Sequence, residues 1–187
     1  ISNPVIISNI QITNIMRDSV TVTWNTDRPA TSRIYSCLFG LFCFSSLLND
    51  PNLMTVHTFN ISGLSADRKY YIQVVSVDAN GQQGSSSIVI FKTQPGLLIS
   101  NVAIINITRS SATVVWDTNY PADSGIIVCQ SFLFCFFASP VKDPTLTLPH
   151  SMNLLGLKAG ATYYYQPVSL DPLGYRARGA LTSFKTL

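Results

Sequence analysis

Two all-β sandwiches in tandem are what this sequence predicts, and three observations predict them. The 187-residue chain repeats itself, each repeat alternates apolar and polar residues with a period of two, and no stretch carries sustained helical periodicity. Trp24 and Trp116 stand 92 residues apart, as do Pro29-Ala30 and Pro121-Ala122, Ser32 and Ser124, and both cysteines of each pair. After one inserted residue the offset becomes 93, through Asp50-Pro51 and Asp143-Pro144, His57 and His150, Gly63-Leu64 and Gly156-Leu157, Tyr70 and Tyr163, Asp78 and Asp171, and Gly81 and Gly174. One unit is used twice, over residues 1–94 and 95–187, with a joint near Gln94-Pro95-Gly96.

Within a unit the strands follow in order. Val20, Val22 and Trp24 fall on one face and Thr21 and Thr23 on the other, the pattern of a half-buried strand, and Ala112, Val114 and Trp116 repeat it. Further runs follow at 32–36, 55–61, 69–77 and 86–93, separated by turn signals such as Asn60-Ile-Ser-Gly63 and Asp78-Ala-Asn-Gly81. About seven short strands in some 90 residues, with no helix to cover a single sheet, require two sheets packed face to face.

Composition narrows the function. Charged residues are 11%, net charge is +3 and mean hydropathy is +0.27, so no strong field gathers phosphates, and nucleic acid is not an expected partner. Polarity comes from Ser, Thr and Asn, about a quarter of the residues, which suits exposed strands. No apolar run reaches the roughly 18 residues of a membrane-spanning helix. The chain opens at Ile1 with no basic segment ahead of an apolar one, the expectation for an exported chain whose signal peptide has been removed. An even cysteine count at matched positions fits an oxidising, extracellular or cell-surface location.

The stretch with the sharpest functional content is Cys37-Leu-Phe-Gly-Leu-Phe-Cys43-Phe44, which recurs as Cys129-Gln-Ser-Phe-Leu-Phe-Cys135-Phe-Phe137. Four cysteines allow three pairings; duplication favours the local ones, Cys37 with Cys43 and Cys129 with Cys135, closing two hairpins. A site for a metal from each cysteine pair with His57 or His150 is the alternative, against which stands a spacing unlike known zinc patterns, and no cofactor or metal is expected. The tips carry Leu38, Phe39, Leu41, Phe42 and Phe44, then Phe132, Leu133, Phe134, Phe136 and Phe137. Either each hairpin folds back as an extra strand pair on its own sandwich, or the side chains are surplus to a core already filled and serve an intermolecular contact. Phe and Leu without Trp, Tyr or cations suit a dry protein interface better than a sugar or an anionic membrane.

The string from Val22 to Tyr35, the histidine strand, the Gly-Leu turn and the following Tyr-Tyr resemble the fibronectin type III modules of exported bacterial and archaeal proteins. The framework is similar to the N-terminal domain of purple acid phosphatases. The resemblance implies two tandem fibronectin type III-like (immunoglobulin-like) β-sandwiches. It also implies tyrosine corners at Leu64–Tyr70 and Leu157–Tyr163, and histidines that pack or hydrogen-bond at the start of a strand. Pro167 falls inside an expected strand, where a missing amide predicts a bulge.

That family's topology would place the first hairpin beside the joint and the second beside the C-terminus. Ile1 to Asn9 resembles Leu98 to Asn101 and its approach, and Lys185-Thr-Leu187 resembles Lys92-Thr93-Gln94, as though the joint were cut open. The expectation is a non-enzymatic, self-associating protein, polymerising head to tail into a filament or surface fibre. The alternative is a binding or adhesion module, for another cell-surface protein, a polymer, a hydrophobic surface or lipid, or a pair of accessory domains of an exported hydrolase. No phosphate loop, nucleophile elbow or zinc-protease motif is present, so no catalytic residue is assigned. Asn60-Ile-Ser62 and Asn106-Ile-Thr108 are glycosylation sequons at non-equivalent positions, which makes Asn60 and Asn106 candidate modification sites.

Overall fold

The computed structural model describes residues 3–38, 42–135 and 137–187. It divides into two units, Ile1–Gly96 and Leu97–Leu187. Six strands build the first among the described residues: β1 (Ile7–Thr13), β2 (Val20–Leu38), β3 (Phe42–Ile61), β4 (Lys69–Val77), β5 (Gln83–Ser85) and β6 (Val89–Lys92). The second repeats them as β7 (Ile99–Ile105), β8 (Ser111–Cys129), β9 (Val141–Leu155), β10 (Thr162–Leu170), β11 (Arg176–Arg178) and β12 (Thr182–Lys185), with one helical turn, α1 (Phe132–Cys135), between β8 and β9.

The separate strands read at 19–24 and 32–36 are one ribbon, because β2 passes from one layer of the sandwich to the other. Its first half pairs with β1 and with residues 56–61 of β3; its second half pairs with residues 42–50 of β3 and with β4. The register shifts between Asn25 and Ser32, where Pro29 interrupts the ladder, and that irregularity lets the strand turn the corner. β4 then pairs with β5 and β6 to complete the second layer. β8 and β9 do the same in unit 2, with the shift between Asp117 and Ser124 around Pro121.

The period-two faces meet between the layers. Val20, Val22, Trp24 and Ile61 of one layer pack on Ile34, Ile72, Val74 and Phe91 of the other. Unit 2 matches this with Ala112, Val114, Trp116 and Leu154 against Ile126, Tyr163, Tyr165 and Phe184. Each tryptophan also reaches across, its Nε1–H donating to Ser76 Oγ (3.2 Å) or to Ser169 Oγ (3.1 Å). At the pole, the segment ahead of β1 lies against β5: a Cβ on Gly84 would fall 2.0 Å from the Val5 carbonyl oxygen, so this strand carries glycine where the backbones approach.

The tyrosine corners are present in both units. Ser65 N–H donates to Tyr70 Oη (2.7 Å) and Lys158 N–H to Tyr163 Oη (2.9 Å). Asp78 and Asp171 hold the turns after β4 and β10. Asp78 Oδ1 accepts from Asn80 N–H (2.8 Å) and Gln82 N–H (2.9 Å), and Asp171 Oδ1 from Leu173 N–H (3.0 Å) and Tyr175 N–H (2.9 Å).

The bulge expected at Pro167 is absent. β10 runs in unbroken register against β8 from Val168↔Gly125 to Tyr164↔Cys129, with Pro167 opposite Ile126. Unit 1 gives the reason. Val74, the equivalent residue, points its N–H away from β2, between β5 and β6, where it donates to Ser86 Oγ (3.0 Å). Proline there removes a bond that no strand ladder uses, and the serine that would accept it is replaced by Gly179.

Candidate interaction site at the disulfide-closed tips

The first tip grows from the far end of the second layer. Cys37 and Cys43 face each other across β2 and β3, Leu38 faces Phe42, and a disulfide joins the two cysteines. Phe39, Gly40 and Leu41 lie outside the described residues, as does the placement of the Leu38, Phe42 and Phe44 side chains.

The second tip is not a hairpin. Cys129 and Cys135 are bonded to each other, but the chain between them forms α1, with Cys135 N–H donating to Ser131 carbonyl oxygen (3.3 Å). Gly40 in the first ring is a residue that permits a tight reversal; Gln130-Ser-Phe-Leu-Phe134 has no glycine, and Ser131 suits a helix start. The loop folds partly back: Cys135 is 4% exposed, seated on Ile127 and Val168 on the outer face of the second layer. Phe132 packs edge-on to Tyr164 at 5.9 Å between ring centroids. The apolar load is nonetheless outward, with Phe132 48%, Leu133 70% and Phe137 88% exposed. Phe136 lies outside the described residues, and the Phe134 side chain with it.

Neither histidine joins a cysteine. His57 stacks on Trp24, centroids 4.6 Å apart, with Nδ1 2.7 Å from Ser32 Oγ and Nε2 3.1 Å from Thr26 Oγ1. His150 repeats this on Trp116 at 4.9 Å, with Ser124 and Thr118 both at 2.8 Å. Burial holds both imidazoles below the usual histidine pKa, against the weaker opposite pull of Asp50 on His57 and of Asp117 and Asp123 on His150. Both ring nitrogens are occupied, so these residues are parts of the core. Among the described residues no three His, Cys or Asp side chains gather as a metal site.

Of the sequon asparagines, Asn60 is exposed on β3 and accepts from Thr21 Oγ1 (2.7 Å), while exposed Asn106 has a left-handed backbone, φ 51°. Sequence reasoning passed over a second apolar surface on β9, where Val141, Leu146, Leu148 and Leu155 are all exposed. Its signal was the Leu-Thr-Leu alternation beside Pro144 and Pro149, prolines that suit an edge strand. Among the described residues no helix is long and apolar enough to cross a membrane.

Residues 4–92 match the family model of the fibronectin type III domain. Two solved chicken structures are similar. One is a two-domain fibronectin type III segment of tenascin, 15% identical, covering 96% of this chain and 99% of its own, with a TM-score of 0.44. The other comprises the CNTN1 FN1–FN3 domains, 14% identical with a TM-score of 0.41; it covers 96% of this chain, which spans 66% of that structure's length. No curated protein sequence matches the chain. The strand order, the paired tryptophans and the two tyrosine corners make the fold a tandem of fibronectin type III-like β-sandwiches.

Proposed function

We propose that this chain is an extracellular, non-catalytic structural module that assembles with further copies of itself through its disulfide-closed apolar tips, as a filament or surface fibre. One observation carries the reading: Leu133, inside the ring closed by Cys129 and Cys135, and Phe137, two residues past it, stand 70% and 88% exposed, with Cys135 anchored in the sheet beneath. Each such side chain gains roughly 1.5–3 kcal/mol on full burial, so a few of them suffice for a stable contact. The loop is short and covalently closed, which limits the entropy lost when it is immobilised in an interface. The two tips differ in residues and in shape, so a contact between copies has no need to be self-complementary, and a heterologous contact that does not close propagates.

Negative-stain electron microscopy of concentrated protein, oxidised beside reduced and alkylated, tests this. Filaments that fray on reduction are the expected result, and dispersed particles in both samples would overturn it. A second reading, an adhesion or binding module for a polymer, surface or other protein, is favoured by the same difference in shape: a hairpin and a helical turn are suited to two unlike targets.

A further inference from the structure

Unit 1 serves as an internal control for unit 2, because the same frame is built twice from different side chains. On the outer face of the second layer of unit 1, one row across the strands reads Asn49, Arg33, Val75, Ser85. Arg33 lies along that row, its Nε–H donating to Asn49 Oδ1 (3.0 Å). The same row in unit 2 reads Lys142, Gly125, Val168, Arg178. The arginine that spans the sheet has become glycine, and cations have replaced the neutral residues at both ends.

Val168 closes over Gly125, where a Cβ would fall 2.7 Å from its Cγ2, and beside it, next to the segment that leads from the second tip into β9, lies a hollow of about 160 Å³ with Asp123, Pro140, Lys142, Val168, Arg176 and Arg178 among its walls. Asp123 takes the place of Thr31, and both do the same backbone work: Thr31 Oγ1 accepts from Val77 N–H (3.1 Å), Asp123 Oδ1 from Leu170 N–H (2.6 Å). A neutral residue suffices for that bond, so the extra charge of Asp123 has another use. Its Oδ2 lies 3.3 Å from Lys142 Nζ and neutralises it. Arg176 stands opposite Leu170, two residues from Arg178 on the same face of β11, where unit 1 has Gln83 and Ser85. Among the described residues neither guanidinium has an ion-pair partner.

We propose that this hollow is a binding site for a carboxylate carried on a short apolar body, such as an aliphatic acid or the C-terminus of a peptide. Two planar guanidinium forks match a carboxylate's two oxygens. Val168, Pro140 and Leu170 form an apolar lining that a strongly hydrated phosphate or sulfate would leave badly solvated and an alkyl group would cover. The volume suits one small group rather than a polymer. The site is independent of any assembly through the tips.

The test is heteronuclear NMR of the full oxidised chain, following backbone amides and arginine Nε–H resonances, titrated with butyrate, N-acetylvaline, butyramide and inorganic sulfate. Both carboxylates should shift Arg176, Arg178 and their neighbours saturably, and butyramide should not. Tighter binding of N-acetylvaline than of butyrate would identify a chain end as the source, and the reverse order a free acid. Arg178→Gln, a surface change whose own spectrum reports its fold, should weaken binding roughly tenfold, while Arg33→Gln in unit 1 should leave it unchanged. Shifts that butyramide or sulfate reproduce equally, or a titration indifferent to Arg178→Gln, would overturn the proposal.

Discussion

His57 fits its site only as the neutral imidazole, and the hydrogen bonds say which tautomer. Thr26 directs its hydroxyl proton to the Arg28 carbonyl (2.8 Å), so it accepts from His57 Nε2–H, and Nδ1 accepts from Ser32 Oγ–H. Thr118 donates to the Tyr120 carbonyl (2.8 Å) and fixes His150 in the same form. A second proton would place a charge between a tryptophan face and two hydroxyls in the core. Burial therefore depresses both folded pKa values below the ordinary 6.5. Above that value neither folded nor unfolded chain is protonated there, so stability is insensitive to these groups. As pH falls through it, the unfolded chain takes up protons that the folded chain refuses, and stability declines until the depressed folded values are reached. Urea midpoints should thus be flat between pH 8 and 7 and fall toward pH 5. His57→Ala, which takes the acceptor from the Ser32 hydroxyl and opens a ring-sized cavity, should cost roughly 2–4 kcal/mol at neutral pH and reduce the acid slope. A slope unchanged by that substitution would mean other groups set the acid response.

At the scale of one strand, β10 and β4 show how two residues change together. Val74 N–H donates to Ser86 Oγ, and Ser86 N–H returns a bond to the Val74 carbonyl (2.9 Å). In unit 2 Gly179 N–H keeps the return bond to Pro167 (2.9 Å), while the outward bond and its acceptor are both gone. A Cβ on Gly179 would lie 3.2 Å from Pro167 Cδ, so the proline and the glycine fit each other. Pro167→Val alone leaves a buried N–H without an acceptor, at a cost of about 1–3 kcal/mol. Gly179→Ser alone presses a side chain on the proline ring. The double variant rebuilds the pair of unit 1 and should recover most of both losses, which a double-mutant cycle in urea would read as a coupling of about 1 kcal/mol or more. Additive losses would mean that the two positions vary independently.

Across the whole molecule, what the sequence disclosed and what it hid divide by the range of the interactions. Alternation in Val20–Trp24, the tyrosine corners and the paired cysteines are local patterns: the first lies where the period of two predicted, the second where the family resemblance implied, and the third where the duplication favoured it. The shape of the second tip turned on whether a short ring contains glycine, which the matched cysteines overshadowed. The cationic hollow joins residues from β8, β9, β10 and β11 that only strand register brings together; laying the two repeats side by side, Arg176 against Gln83 and Arg178 against Ser85, was the signal available. The duplication also governs unfolding. The core of unit 1 is drawn from residues 7–91 and that of unit 2 from residues 97–184, and each contains one of the chain's two tryptophans stacked on its own histidine. Intrinsic fluorescence can therefore be assigned to a unit by removing the other indole. In a Trp116→Phe background, His57→Ala should lower the urea midpoint reported by Trp24. In a Trp24→Phe background the same substitution should leave the Trp116 midpoint where it was, because the partners of His57 all belong to the core of unit 1. If both reporters moved together, the two sandwiches would be one cooperative unit despite their separate cores.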